Sequence, residues 1–403
     1  MKNRNVIVPV FNSLMILAAI TAALMVGILG YGRPHGPGDI SQYDFRVIYS
    51  AGKSWWNGLN PYDLTGVKPG DFLFAYPPNS SLIFMLLSIA SYGTSKILLL
   101  LADITCIGIF SYCSVRMLNM YNILLDNPKQ FFLHDFKTSL LIFMLIGNSY
   151  IINMLWMGQS TIIFSTALLC AYFFYIQSIE IMSGVFLAIA LNKPQLSYTF
   201  FIWLLLEKKW KIIITVIFVT LILMVAPIYE RGLISSLYDW LHVLQKHVQS
   251  LYQFGFLNLV GIRAMFYDFG IHLNSPMLFL LSVLLIIIIH HYYYDINIFN
   301  LLGILVMIAL LFVQAHQYDI FVLATILPYY FVTIRKHNYF KFAMLCLVFI
   351  ALNFPHRKIL LLSNYRILHH HRDIIVIMLL SAQFIHWDRI RLFKKPNSAL
   401  LPG

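Results

Sequence analysis

The side chain with the clearest chemical potential in this sequence is the carboxylate of Asp44, in the first long polar stretch. Apolar residues recur at positions 45, 48, 49, 52, 55 and 56, which is the three- and four-residue spacing of one helix face. The pattern predicts an amphipathic helix over 44–57, ended by Asn57-Gly58 and suited to a membrane surface. A carboxylate held at a fixed height above a bilayer is a candidate catalyst. The alternative is that Asp44 only caps the helix, as aspartate commonly does.

Lys193 is the second candidate, because it lies near the end of an apolar stretch, before Pro194, with no carboxylate close to it in sequence. A lysine placed at mid-bilayer costs about 2.5–3.5 kcal/mol, so a lysine in such a stretch indicates function by default. The alternative is that its ammonium group extends to the membrane surface.

Two polar connections between apolar runs are further candidates. The segment Gln314–Asp319 places His316 and Tyr318 in a six-residue link, which is either a binding site or a solvated loop. Gly158-Gln159 separates two predicted spans, where a tight polar turn is the alternative to a site.

No motif indicates a metal centre, a disulfide framework or a nucleotide site. The four cysteines fall in apolar stretches without C-x-x-C spacing, and no H-E-x-x-H or Gly-rich phosphate loop occurs. The histidine triplet 369–371 would point adjacent side chains about 100° apart on a helix, a poor arrangement for a metal. We therefore expect no metal ligands and no cofactor, and a metal requirement is left open.

The elements that must position these residues are membrane helices. The chain has 403 residues, of which 60% are hydrophobic and only 11% charged, whereas soluble domains contain about a quarter charged residues. The net charge of +12 is typical of basic residues flanking spans on the cytoplasmic side, so we expect membrane lipids rather than nucleic acid as partners. The fold class predicted is an all-α polytopic membrane protein.

Apolar runs predict about twelve spans in a single transmembrane domain, 1–403, with both termini cytoplasmic and no separate soluble domain. The loop 31–95 would be external, and its short apolar run 82–90 would not cross. The basic segment 355–372 falls on the external side in this topology. Either a span is miscounted or that segment has a function there. The predicted spans are 6–30, 96–117, 138–157, 160–177, 181–194, 195–207, 211–228, 275–292, 297–314, 318–335, 340–354 and 373–389.

Several short motifs, taken in order, resemble glycosyltransferase family 87 of the GT-C superfamily. The first loop carries Asp44-Phe45-x-x-x-Tyr49-x-Ala51, then Trp55-x-Asn57-Gly58-x-Asn60-Pro61-Tyr62 and Tyr76-Pro77-Pro78. Further matches are Gly158-Gln159, Ser183-Gly184, Lys193-Pro194, Glu207-Lys208-Lys209-Trp210 and His316-x-Tyr318-Asp319. In place of the family's later Asn-Gln-Ser, this chain has Asn258-Leu259-Val260-Gly261, with Arg263 nearby. The resemblance covers about residues 6–335.

The resemblance implies a membrane-embedded inverting glycosyltransferase with a GT-C-like helix bundle. Such an enzyme, mannosyltransferase-like, moves a hexose or pentose from a polyprenyl-phosphate donor to a lipid or glycan acceptor. The expected location is the outer face of a bacterial inner membrane, in cell-envelope synthesis. The resemblance makes Asp44 the general base and the external loop 31–95, with its surface helices, the floor of the active site. The groups expected at the donor phosphate or substrate are Lys193, His316, Arg263, Gln159 and Tyr318.

Two other functions are compatible with the sequence. A secondary transporter or a lipid or glycan flippase would be expected to show internal symmetry and interrupted helices with midplane charges, whereas this chain has one large asymmetric first loop. A catalytically inactive relative that acts as an assembly partner is the third possibility.

Overall fold

The computed structural model describes residues 12–14, 16–21, 43–65, 73–124, 136–254, 258–292, 298–333, 339–353 and 366–385. The regular secondary structure of the described residues is helical apart from one pair of two-residue strands. The helices of its first half are α1 (Tyr43–Trp56), a 3-10 turn (Pro78–Ser80), α2 (Ser81–Leu87), α3 (Tyr92–Leu124), α4 (Phe136–Ile146), α5 (Ser149–Met157), α6 (Thr161–Ile176), α7 (Glu180–Ala190) and α8 (Pro194–Leu206).

The second half contains the strand pair, in which β1 (Leu259–Val260) runs antiparallel to β2 (Ala315–His316). Its helices are α9 (Trp210–Leu223), α10 (Val225–Arg231), α11 (Leu233–Phe254), α12 (Ile262–Asp268), α13 (Ser275–Tyr292), α14 (Ile298–Phe312), a 3-10 helix (Gln317–Ile326), α15 (Leu327–Thr333), α16 (Tyr339–Asn353), α17 (Arg366–His369) and α18 (His371–Ile385).

Three of the described helical segments are long and apolar enough to cross a membrane, namely Tyr92–Tyr121, Phe136–Met157 and Ser275–Tyr292. Helices α9 and α10 make a fourth candidate if this pair, bent by 60°, is one span. The prediction of an all-α membrane protein is therefore confirmed. The predicted count of about twelve spans is not, because most of the other apolar helices have only 10–17 residues. The predicted span 6–30 and the loop portions 31–42 and 66–72 fall largely or wholly outside the described residues.

Helix α14 forms the centre of the larger hydrophobic core. Every residue from Phe299 to Leu311 is buried, as expected for a helix that is apolar on all sides. Gly303 allows Ile326 of the following 3-10 helix to pack closely, since a Cβ atom there would lie 2.6 Å from Ile326 Cδ1. The predicted span 318–335 is thus a buried 3-10 helix followed by α15. A 3-10 run of this length is uncommon and often marks a functional segment.

Helix α1 belongs to a second, smaller core. The predicted helix 44–57 corresponds to α1, and its side chains Phe45, Ile48 and Trp55 are buried against protein. Gly52 permits the close packing of α1 on α2, because a Cβ atom at this position would lie 2.3 Å from the Phe84 carbonyl oxygen. The apolar face of α1 therefore contacts the rest of the chain, and its contact with a membrane surface stays a prediction.

We expect the segment 31–95 to lie on one side of the membrane, with Pro78–Leu87 not crossing. Leu59 and Thr94 are both exposed, one on each side of that short helix. Single cysteines at these two positions, in a chain whose native Cys106, Cys113, Cys170 and Cys346 are replaced by serine, should both react with an impermeant thiol reagent added outside the cell. Reaction at position 59 without reaction at 94 would show that the short helix crosses.

Candidate active site

The first turn of α1 holds Asp44 against the end of α5. Gly158 ends α5 in the left-handed region, at φ +66°, and a Cβ atom there would lie 2.7 Å from Phe45 Cβ. Only glycine fits such a position without strain. Because Gly158 has no side chain, the turn can lie directly against the start of α1. The Oδ2 atom of Asp44 is buried and its side chain has no hydrogen-bond partner among the described residues. The capping function that the sequence leaves open for Asp44 is therefore not seen among these residues.

Burial raises the pKa of Asp44 to about 7, although the positive charge of Lys193 acts in the opposite direction. The negative charge of Asp319 adds to the increase. Asp44 is also close enough to Tyr76 and Tyr318 to act on both hydroxyl groups electrostatically. A carboxyl group that titrates near neutral pH can exchange protons with a substrate hydroxyl, which is the property of a general base.

Lys193 lies at the break between α7 and α8, where Pro194 occupies the first position of α8. Its side chain is 3% exposed and its Nζ atom donates to Asp319 Oδ1 at 2.8 Å and to Thr161 Oγ1 at 2.5 Å. Thr161 in turn donates to Asp319 Oδ1 at 3.2 Å. No carboxylate lies close to Lys193 in sequence, and the one that pairs with it in the fold, Asp319, lies 126 residues further along the chain.

Asp319 and His316 bind each other in a reciprocal cap at the start of the 3-10 helix. The backbone N–H of His316 donates to Asp319 Oδ2 at 3.0 Å, and the His316 ring accepts from the backbone N–H of Asp319. The pairing of Leu259 in β1 with His316 in β2 also holds this turn in place. Both carboxylate oxygens of Asp319 are thus occupied, so Asp319 is a structural anion in this arrangement.

The reciprocal cap also fixes the protonation of the His316 ring. The ring nitrogen that accepts from the backbone carries no hydrogen, so in the neutral ring the other nitrogen carries it and can donate. The pKa of His316 is lowered to about 4, chiefly by burial and to a lesser extent by the Lys193 charge, while the Asp319 charge acts in the opposite direction. His316 is therefore a neutral hydrogen-bond donor at physiological pH.

The remaining wall of the site is aromatic and polar. The ring of Tyr318 stacks on that of His316 with centroids 5.1 Å apart and lies 4.9 Å from Lys193 Nζ. Gln159 hydrogen-bonds with the Tyr318 side chain, and its Oε1 atom has no partner among the described residues. Ser160 donates to the Tyr76 hydroxyl at 2.9 Å. These contacts join the turn after α5 to the turn after α14.

A helix not singled out by the sequence motifs covers this group. The residues of α11 that face the protein include Ser236, Trp240, Val243 and His247, at helical spacing. Trp240 Nε1 donates to the Ala75 carbonyl oxygen at 3.0 Å, and the His247 ring lies 6.4 Å from that of His316. Burial lowers the pKa of His247 to about 4, so it too is neutral.

The structure thus brings together Asp44, Lys193, His316, Gln159 and Tyr318. It does not place Arg263 with them. Arg263, on α12, lies 4.2 Å from the Tyr252 ring centroid and hydrogen-bonds to Ser275, and no described contact joins it to the group.

Sequence reasoning missed Thr161 and His247. Thr161 follows Gln159 by two residues, and this position beside the polar turn was the signal that could have identified it as a site residue. The signal for His247 was the amphipathic spacing of α11. Among the described residues, no group of three or more His, Cys, Asp or Glu side chains is arranged to hold a metal ion.

Comparison with known proteins gives one match. A sequence model described as glycosyltransferase family 87 matches residues 74–355, more than half of the chain. No curated protein and no solved structure matches detectably. The matched region contains Lys193, His316 and Asp319, whereas Asp44 precedes it.

Proposed function

Since the chain belongs to glycosyltransferase family 87 and is a membrane glycosyltransferase, we propose that it uses a polyprenyl-phosphate-linked hexose or pentose as its donor. The acceptor is a hydroxyl group of a lipid or glycan, at the outer face of a bacterial inner membrane. The observation that carries the proposal is the buried Asp44 carboxyl, with a pKa of about 7, beside the Lys193–Asp319 ion pair.

The reaction is a single displacement with inversion. Asp44 takes the proton of the acceptor hydroxyl as its oxygen attacks the anomeric carbon of the sugar. The bond from that carbon to the phosphate oxygen breaks, and the polyprenyl phosphate leaves with the bonding electrons. Asp319 does not serve as a nucleophile, because Lys193, Thr161 and the backbone of His316 occupy its oxygens. Among the described residues of the site, Asp44 is the one free carboxyl group, which fits inversion, since retention in glycosyl chemistry uses a second carboxylate as nucleophile.

The leaving phosphate requires hydrogen-bond donors, and two are available. The ammonium group of Lys193 has three N–H bonds, of which Thr161 and Asp319 take two, so one remains. The neutral ring of His316 supplies another donor. Donors fixed before the reaction stabilise the charge that develops on the leaving oxygen.

The test is product analysis after incubating purified protein with a panel of polyprenyl-phosphate sugars and lipid or glycan acceptors. We expect release of polyprenyl phosphate and a product of inverted anomeric configuration. Retention of configuration, or transfer from nucleotide sugars alone, would contradict the proposal. Movement of intact donor across a vesicle membrane without product would favour the flippase alternative.

The pH dependence of transfer should report the titration of Asp44. Only the deprotonated carboxylate can accept a proton, so kcat/KM should fall about tenfold per pH unit below about 7 and be flat above it. Initial rates measured between pH 5 and pH 9 check this. A rate that is constant from pH 5 to pH 8 would mean that a group with an ordinary carboxyl pKa, or none, is the base.

A further inference from the structure

A second polar cluster, formed by His370, Arg372 and Asp373 at the start of α18, contacts the turn that carries His316. The cluster follows the region matched by the family, 74–355, so the family comparison does not assign it. It lies at the end of the basic segment 355–372, for which the sequence left two explanations. Arg372 and Asp373 are 6% and 2% exposed.

Asp373 and His370 hold the segment that follows β1. Asp373 Oδ1 accepts from the backbone N–H of Gly261 at 2.6 Å, and its Oδ2 lies 3.0 Å from His370 Nδ1. His370 Nε2 lies 3.3 Å from Asp268 Oδ2. Burial alone would lower the pKa of His370, but the two carboxylates outweigh burial and raise it. The start and the end of α12 are therefore fixed to α18, directly beside the strand that pairs with His316.

Arg372 reaches the same turn from the other direction. Its guanidinium NH1 donates to Gln317 Oε1 at 2.9 Å and its Cζ lies 5.1 Å from the Tyr150 ring centroid. Gln317 is the residue between His316 and Tyr318 in the chain. Within the described residues no carboxylate oxygen lies within 4 Å of this guanidinium, and its buried Nε has no hydrogen-bond partner. The Tyr150 side chain also hydrogen-bonds with Arg372, and the negative charge of Asp373 acts on the guanidinium. A buried cation without a direct ion pair is costly for the fold.

We propose that Arg372, supported by Asp373, is a positioning residue for the glycosyl-transfer site, acting through Gln317 on His316. The inference rests on the proposed function, in which His316 donates to the leaving phosphate. The two-residue strand pair and the reciprocal cap fix the His316 turn on one side, where Gln317 also donates to Asn258 Oδ1 at 3.4 Å, and Arg372 fixes it on the other. A displacement of about 1 Å in such a group can cost about 10²-fold in rate.

The experiment compares Arg372→Gln with Arg372→Lys in the full-length protein. We expect Arg372→Gln to lower kcat about 10–100-fold and to change KM less than about twofold, because binding of the lipid chain is untouched. Arg372→Lys, which keeps the charge and one donor, should recover most of the rate. Lys246→Gln, which removes an exposed cation from α11, is the matched control and should behave as wild type.

A double-mutant cycle separates positioning from mere support of the fold. In a His316→Gln background the added effect of Arg372→Gln should shrink to less than about threefold, since the group it positions is already altered. If Arg372→Gln lowers kcat by the same factor in both backgrounds, the inference is overturned. A kcat for Arg372→Gln within about twofold of wild type would also overturn it. If Arg372→Gln does not fold, Gln317→Met removes the same hydrogen bond at a half-exposed residue, and the same outcomes in kcat apply. Wild-type transfer with inversion tests the proposed function separately, so the two can fail independently.

Discussion

Asp44→Asn should lower the rate of glycosyl transfer about 10²–10⁴-fold, because the amide has no basic oxygen to take the acceptor proton. The amide keeps the size and shape of the carboxyl group, so the contacts of Phe45 with Gly158 and the packing of α1 on α2 are preserved. Turnover with a saturating lipid-linked donor measures the loss. Asp63→Asn, which changes an exposed carboxylate of the same segment, is the control and should leave the rate unchanged.

The same substitution should raise the stability of the protein at alkaline pH. The pKa of Asp44 is higher in the folded protein than its usual value of 3.8, so the fold disfavours the charged form. The stability that Asp44 contributes to the wild-type fold therefore falls as the pH rises from about 4 to about 7. Asn carries no charge, so the variant should melt at a higher temperature than wild type at pH 8 and at the same temperature near pH 4. A less stable variant at pH 8, or near-normal turnover, would contradict the assignment of Asp44.

Lys193→Met should abolish transfer and also destabilise the fold by about 3–5 kcal/mol. Removing the ammonium group leaves the Asp319 carboxylate buried without its counter-ion, which is costly in an interior of low dielectric constant. Turnover falls because the donor phosphate loses a hydrogen-bond donor and the His316 turn loses its anchor. Thermal unfolding in detergent and initial rates measure the two effects.

The double variant Lys193→Met/Asp319→Leu distinguishes these two effects. It removes both charges together, so stability should largely recover while transfer should not. Lys211→Met, which breaks an exposed pair with Glu180 of 4.0 Å, is the control and should cost at most about 1 kcal/mol. If Lys193→Met were as stable as this control, the buried ion pair would not be the structural anchor described above.

The sequence predicted helix α1 well, because its apolar spacing matches the helical period and Gly58 follows its end. It also named most of the side chains that meet in the candidate site. It did not predict that Lys193 and Asp319 pair, because nothing local encodes a contact across 126 residues. That contact depends on how α8 and the 3-10 helix pack around α14. Arg263 was selected as a cation close to the motif 258–261 on the predicted outer face, and its contacts lie elsewhere.

The predicted count of spans stays unconfirmed for a related reason. Helix α14 is apolar throughout because other helices surround it, and composition cannot distinguish such a helix from one that faces lipid. The segment 317–326 is equally apolar, yet it starts in a reciprocal cap between His316 and Asp319 and follows a 3-10 path. The polar cap at the start of this segment marks where the 3-10 helix begins, and apolar content does not reveal it.

The dispersal of the site along the chain has a consequence for biogenesis. Asp44 is synthesised and reaches the membrane long before Lys193 and Asp319, whose charges act on it in the finished protein. The residues that bury Asp44 and raise its pKa are also synthesised later, so the early chain carries Asp44 without the environment that makes it a base near neutral pH. The nascent polypeptide would then remain inert toward lipid-linked sugars until its C-terminal third had been inserted, and truncated translation products would not consume donor.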